Sequence, residues 1–367
     1  MSLGIVIAVL VAAAPAPAPQ SAPMPTESPE AVVARVEDAK DVLLSSRFAE
    51  RVGKAAPELR DLAGKGDVTA MTMLGIFYDM GTGVPKDAVE SLGWFRRAAE
   101  AGDDYAMYKV GEAYSKGVGV KRDDAVAAAW YRRAADKKHP RAMGKLGLMY
   151  LVGHGVSRDY AEALRWLKPA ADNGDETALA SLATMYVDGL GVSKDETEGM
   201  RLMRAAALAG SDAAMFEVGR AYSLGTHGIA KDRTEGQRWI KASAKLGSPE
   251  GMSTLGFMYE HGEGVALDLA EAKRWYLAAA DKGNGQAMFR LVLISARENN
   301  GSEMNRWLLA AVEAGYPEAQ FALAGMTEEG VGRPVNRDEA LRLYQAAAAK
   351  GHRRAQEAVA RLQLSKQ

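Results

Sequence analysis

The feature that most restricts what this chain can fold into is a repeat of 36 residues. An alanine opens each unit at Ala70, Ala106, Ala142, Ala178, Ala214, Ala287, Ala319 and Ala355, with Gly251 standing in once. The intervals are 36, 36, 36, 36, 37, 36, 32 and 36 residues. A sequence that returns to the same residues at this spacing builds an array in which each unit buries its apolar face on its neighbours. The length of 367 residues would otherwise suggest two or three separate domains; the period makes it one repetitive stack. The 67 alanines agree with helices, because Ala is the best intrinsic helix former.

Four residues after the opening position stands Leu74, Val110, Leu146, Leu182, Val218, Leu255, Leu291, Leu323 or Val359, followed in most units by Gly or Ala, as at Gly75, Gly111, Gly147, Ala183, Gly219 and Gly256. Tyr78, Tyr114, Tyr150, Tyr186, Tyr222 and Tyr259 come three further on, replaced by Ser295 and Thr327 in two units. Spacings of four and eight place these residues on one helical stripe. That stripe defines helix A of each unit, and the recurrent glycine predicts tight packing that offsets its propensity cost of about 1 kcal/mol.

A Gly-x-Gly-Val turn follows, as at Gly81 to Val84 and Gly153 to Val156. Helix B then opens at Asp87, Asp123, Asp159, Asp195, Asp232, Asp268, Asn300 or Asn336, each of a type that caps helix-start amides. Three positions later stands Glu in seven of eight units, Val126 being the exception, which predicts a capping box. All six tryptophans, Trp94, Trp130, Trp166, Trp239, Trp275 and Trp307, share one position seven residues past the cap. They are expected to be wedges between the paired helices. Glycines such as Gly102 and Gly174 end helix B, suited to a left-handed backbone. Pro169 falls inside helix B of the third unit, and the seventh unit loses four residues and its whole turn at Arg297 to Gly301, which predicts local irregularity.

This succession of A-x-x-x-L-G-x-x-Y, G-x-G-V, D-x-x-E and W followed by A-A resembles the Sel-one-like repeat family, relatives of tetratricopeptide repeats. The resemblance implies an all-α fold, a right-handed superhelical solenoid of antiparallel helix pairs with about eight 36-residue repeats, that acts as an adaptor for other proteins, often in exported or periplasmic settings in bacteria. Residues 66–351 hold the eight repeats, and 352–367 form a C-terminal capping helix with Ala355, Val359 and Leu362 facing inward. Residues 23–65 comprise a linker and N-terminal capping helices. Residues 1–22 carry the twelve-residue apolar run Leu3 to Ala14, too short to span a bilayer and of the length of a signal-peptide core, then the start of a linker rich in proline. They are expected to act as an export signal or retained anchor, placing the protein in the periplasm or outside the cell.

Composition excludes several chemistries. Without cysteine there is no disulfide, thiolate metal site or cysteine nucleophile, and 46 basic against 47 acidic residues leave no electrostatic footprint for nucleic acid. The sequence shows no serine elbow, zinc-protease motif or phosphate loop, and no catalytic residue, cofactor or metal site is assigned. His154, His227 and His261 all lie in the repeat turns, and successive turns are displaced along the array.

What varies within the constant frame lies on helix A beside the packed stripe. In a stack of helix pairs the A helices line one wall. Tyr108, Phe216, Phe257, Phe289 and Phe321 are therefore candidate apolar anchors, and Lys109, Lys145, Arg220 and Arg290 candidate flanking charges, for a partner peptide or helix. The same aromatics could instead pack against the neighbouring unit. The function read from the sequence is a non-catalytic interaction scaffold or adaptor, with protein partners of the envelope or of signalling. The alternative is a cell-wall or polysaccharide hydrolase with a site spread over repeat loops.

Overall fold

A computed structural model describes residues 27–44 and 46–364. The apolar run Leu3–Ala14, most of the proline-rich segment and the last three residues lie outside the described part. Among the described residues every regular element is α-helix, and no helix is long and apolar enough to cross a membrane. Two helices come first, α1 (Pro29–Leu44) and α2 (Ser46–Gly64). The A/B pairs follow: α3 (Val68–Met80) with α4 (Ala88–Glu100), α5 (Asp104–Lys116) with α6 (Asp124–Asp136), α7 (Pro140–Val152) with α8 (Tyr160–Asp172), and α9 (Glu176–Asp188) with α10 (Glu196–Leu208). Next come α11 (Asp212–Leu224) with α12 (Arg233–Leu246), α13 (Pro249–His261) with α14 (Leu269–Asp281), α15 (Gly285–Arg297) with α16 (Gly301–Glu313), and α17 (Pro317–Glu329) with α18 (Arg337–Ala349). Helix α19 (Arg353–Leu364) closes the chain.

The chain divides into two compact units, one ending at Gly236 and one beginning at Gln237. Within each, an A helix packs on the B helix that follows it, and that B helix packs on the next A helix. The shortened seventh repeat keeps its helix pair, joined by a tight link in which Asn299 takes a positive φ of 56°. Helix α8 continues past Pro169 to Asp172. In α19 the buried residues are Ala355, Ala358 and Leu362, while Arg353, Arg354, Glu357 and Arg361 face solvent.

The helix B caps form on one side only. Asp87 accepts from the backbone N–H groups of Val89 and Glu90, and Asp123, Asp159 and Asp268 repeat this. At Asp87 and Asp159 the reciprocal half of the expected capping box is not made, because the N–H of the cap residue is already committed. Asp87 N–H donates to the Tyr78 carbonyl, Asp123 to Tyr114 and Asp159 to Tyr150, each at 3.0 Å. Glu90 and Glu162 are thereby released, and they accept from the indole Nε1 of Trp94 and Trp166 at 3.1 Å. The recurrent tyrosine thus closes the turn through its backbone. This explains why Ser295 and Thr327 can replace it: their carbonyls accept from Asn300 and Asn336 in the same way.

The wedge between paired helices is also one residue away from its predicted place. Trp166, Trp239 and Trp307 are buried but Trp94, Trp130 and Trp275 only half so. The next residue, about 100° around the helix, points to the interhelix seam: Phe95, Tyr131, Leu167, Ile240, Tyr276, Leu308 and Tyr344 are all buried. In four repeats it seats against the helix A glycine. A Cβ on Gly75 would stand 2.7 Å from the Phe95 ring, on Gly111 2.8 Å from Tyr131, on Gly147 2.6 Å from Leu167 and on Gly256 2.8 Å from Tyr276. The tryptophans flank this seam and carry arginines over their faces, Arg97 at 4.5 Å from Trp94 and Arg133 at 4.1 Å from Trp130.

Gly147→Ala is expected to destabilise the protein by about 1–3 kcal/mol through overpacking against Leu167, although Ala favours helix by about 1 kcal/mol. Gly93, exposed in α4 where an added Cβ would meet nothing within 4 Å, is the control: Gly93→Ala should stabilise by about 0.5–1 kcal/mol. Urea denaturation of the two variants checks both signs.

Candidate partner-binding surfaces

In the first unit, α5 and α7, the start of α9 and the turns at Arg122–Asp124 and His154 enclose a cleft of about 520 Å³. Tyr108 and Lys145 both line it, together with Glu112, Arg141, Leu148 and Asp175. Tyr108 offers the cleft little more than an edge: it is 6% exposed, and its ring stacks on His139 at 5.1 Å and an interplanar angle of 15°. Burial pushes its hydroxyl well above the usual tyrosine range.

Lys109 sits beside the cleft in a closed network. Its ammonium lies 2.9 Å from both Asp79 of the preceding A helix and Glu112, and Lys116 reaches Glu112 at 2.6 Å. Burial opposes the charge on Glu112, but the two lysines outweigh it and hold the carboxyl down to about 2. Lys109 therefore fastens two repeats together and is not left over for a partner. Asp175 is tucked against Gly144, where a Cβ would meet its carboxylate, and it caps α9 through the N–H of Ala178 at 2.8 Å. Burial raises the pKa of Asp175 and of Glu176. Lys145 reaches only Thr177 Oγ1, at 3.4 Å, and exposed Arg141 makes no hydrogen bond or ion pair among the described residues.

Phe216 and Arg220, elsewhere in the first unit, do not join this cleft. The Arg220 guanidinium lies 6.0 Å from the Phe216 ring and 3.3 Å from Glu217, and it borders a smaller hollow of about 300 Å³ with Leu224 and His227. In the second unit Phe257 stacks on His261 at 4.1 Å with Arg290 over its ring at 5.1 Å, while Phe289 meets Tyr316 at 5.6 Å and Phe321 meets His352 at 4.6 Å. Among the described residues no group of three His, Asp or Glu could hold a metal ion.

These contacts assign a role to the variable position two residues after the opening alanine. It meets the cap residue of the following A helix: Tyr108 with His139, Gly144 with Asp175, Phe289 with Tyr316 and Phe321 with His352. Ring faces ring, and the glycine admits a buried carboxylate. A second pairing went unread in the sequence. Where the residue after the Trp position is tyrosine, a polar group stands nine residues after the opening alanine: Tyr131 with Ser115, Tyr276 with Glu260 at 2.8 Å and Tyr344 with Glu328 at 3.0 Å. Where it is Leu167 the partner position is Leu151. Aligning the units on the period and comparing these two columns would have revealed it.

One-sided caps, glycine seams and turn spacing together define a protein of stacked helix pairs. The Sel1 repeat family matches at residues 68–103, 104–139, 140–175, 177–211, 212–248, 249–284 and 317–352, and the chain belongs to that family. The match leaves out the shortened repeat between residues 285 and 316. A protective antigen of uropathogenic Escherichia coli displaying an SLR fold is 31% identical with a TM-score of 0.51, over 90% of this chain and 73% of that one. A Sel1 repeat protein from Oxalobacter formigenes is 33% identical with a TM-score of 0.52, over 62% of this chain and 99% of its own. No curated protein matches at a significant level. Sel1 repeat proteins generally act as protein-interaction scaffolds.

Glu112→Gln should cost about 1–3 kcal/mol at neutral pH by breaking charge-assisted hydrogen bonds. Because the folded pKa is depressed, the stability Glu112 contributes is complete above its ordinary value near 4.5 and is lost as pH falls toward about 2. The gap in unfolding free energy between wild type and variant should therefore shrink over that window, as read by denaturation at stepped pH.

Proposed function

We propose that the protein is a non-catalytic scaffold that binds a partner protein through the A-helix cleft of its first unit. The observation that carries this reading is the pair Arg141 and Lys145, one helical turn apart at the rim of the cleft with little or no internal pairing, beside the exposed edge of Leu148. Neither cation makes a salt bridge among the described residues, though both lie in the field of Asp175 and Glu176, and cations so placed beside apolar surface are available for a binding partner to complete. Three acids of the cleft are committed: Asp175 caps α9, Glu112 is held by lysines and Asp124 pairs with Arg122 at 2.8 Å, while the fourth, Glu176, faces Arg141 and Lys145. This favours a scaffold over a hydrolase.

The partner is a protein of the cell envelope, met after export. The apolar run Leu3–Ala14 and the prolines that follow support export; a reporter fused after residue 40 that stays active only in the cytoplasm would contradict it. For binding, a photo-crosslinking residue at Leu148 is expected to capture a defined envelope protein, and the same residue at Val89, exposed on α4, is not. Arg141→Ala with Lys145→Ala should weaken that capture at least tenfold while helical content is unchanged. Equal capture from both positions would reject the cleft.

A further inference from the structure

The helix α1 does not simply extend the stack. Arg35 donates from its guanidinium to the carbonyl of Leu208 at 2.9 Å, a partner 173 residues away and three repeats beyond the start of the array. Leu208 is the last residue of α10, whose closing N–H groups bond further back: Ala209 to Ala205, Gly210 to Ala207 and Ser211 to Ala206. The Leu208 carbonyl is one of the unsatisfied acceptors at the negative end of a helix, where a cation is favoured. Beside it, the backbone of Gly210 is bare, and a Cβ placed there would stand 3.9 Å from Val36 Cγ2. Along α1, Val32 and Val33 are buried and Val36 half-buried, whereas Ala31, Ala34 and Glu37 face solvent. Val32, Val33 and Val36 share one face. The chain thus seats an amphipathic helix of its own, with a valine stripe and one arginine, against the end of its fourth repeat.

We propose that this surface, at Leu208–Gly210, is a docking site for an amphipathic helix, and that α1 is its built-in occupant, competing with a partner helix of the same chemistry. The inference rests on the scaffold reading above and adds an adjoining surface with its own gate, the two meeting at Glu176, whose carboxylate would stand 4.0 Å from a Cβ on Gly210. Charge complementarity defines the occupant: a basic side chain set beside a stripe of β-branched residues satisfies the orphan carbonyl and covers the glycine. At this end α1 is held by the Arg35 bond and the Val36 contact, with Val32 and Val33 buried beside them and Glu27 pairing with Arg35 at 3.6 Å. An internal competitor lowers the apparent affinity of an external helix in proportion to the fraction of time the seat is free.

The test uses the full chain and a fluorescent peptide of residues 27–44 as the probe. Arg35→Ala with Val36→Asp in the protein should release α1, raise hydrogen exchange across residues 209–215 and tighten binding of the peptide at least tenfold relative to wild type. The same peptide carrying Arg35→Ala should bind the released protein less tightly than the unaltered one. Equal peptide binding by wild type and variant, no binding by either, or unchanged exchange would overturn the proposal, as would a wild-type dimer that exchanges α1 between copies, detected by light scattering. Crosslinking from Leu148 reads the other surface, so failure here is separable from failure of the scaffold reading.

Discussion

Where helix A crosses helix B in the first four repeats and the sixth, a backbone without a side chain meets a large one. Gly111 under the Tyr131 ring and Gly147 under Leu167 show the constraint: the two helices approach until no Cβ fits on the A side. Close approach lets the residue after the Trp position fill the seam, where it gains both transfer free energy and dense contact. The fourth repeat keeps the constraint with the residues exchanged. Ala183 stands where other units carry glycine, and the gap moves to helix B at Gly199, where a Cβ would be 2.6 Å from Val187 and 3.0 Å from the Ala183 carbonyl. In these five repeats there is one gap per crossing, on either helix; the seventh and eighth carry Val292 and Ala324 at the helix A position instead.

From that crossing the joints between repeats follow. The turn after helix A is closed by a cap N–H on the tyrosine carbonyl, and its second glycine presses on the start of the preceding B helix. At Gly155, with φ 69°, a Cβ would collide with the Asp124 carbonyl. The opposite joint is made by the variable residue on helix A and the cap of the next A helix. In a linear array stability is a sum over such neighbour terms. A protein without cysteine has to meet the whole requirement this way.

The period made the helix pairs, caps and turns legible because each is a local rule repeated many times. Pairings between columns of the repeat were harder to see. Trp is conspicuous by its size, yet the residue beside it fills the seam, and composition does not say which way a ring points. The capping box was half right: Asp and Glu stand where expected, but the competing acceptor, the tyrosine carbonyl, lies on another helix. Tyr108, chosen as a binding anchor because it varies among repeats, varies to suit His139; Lys109, chosen as a free charge, closes on Asp79 and Glu112. Lys145 stands at the cleft rim with only a long bond to Thr177. The contact of Arg35 with Leu208 left no trace in the sequence, since no periodic rule links residues 173 apart.

A stack fixed by its crossings can vary its outward residues freely, which suits a protein whose surfaces are for binding. The crossing itself is tested most directly by a double-mutant cycle in the fourth repeat. Gly199→Ala alone is expected to lower the unfolding free energy by about 1–3 kcal/mol, and combining it with Val187→Ala, which removes the methyl that the new Cβ would strike, should cost clearly less than the sum of the two single losses. Strictly additive losses from the two changes would contradict the view that the gap at this crossing holds the helix pair together.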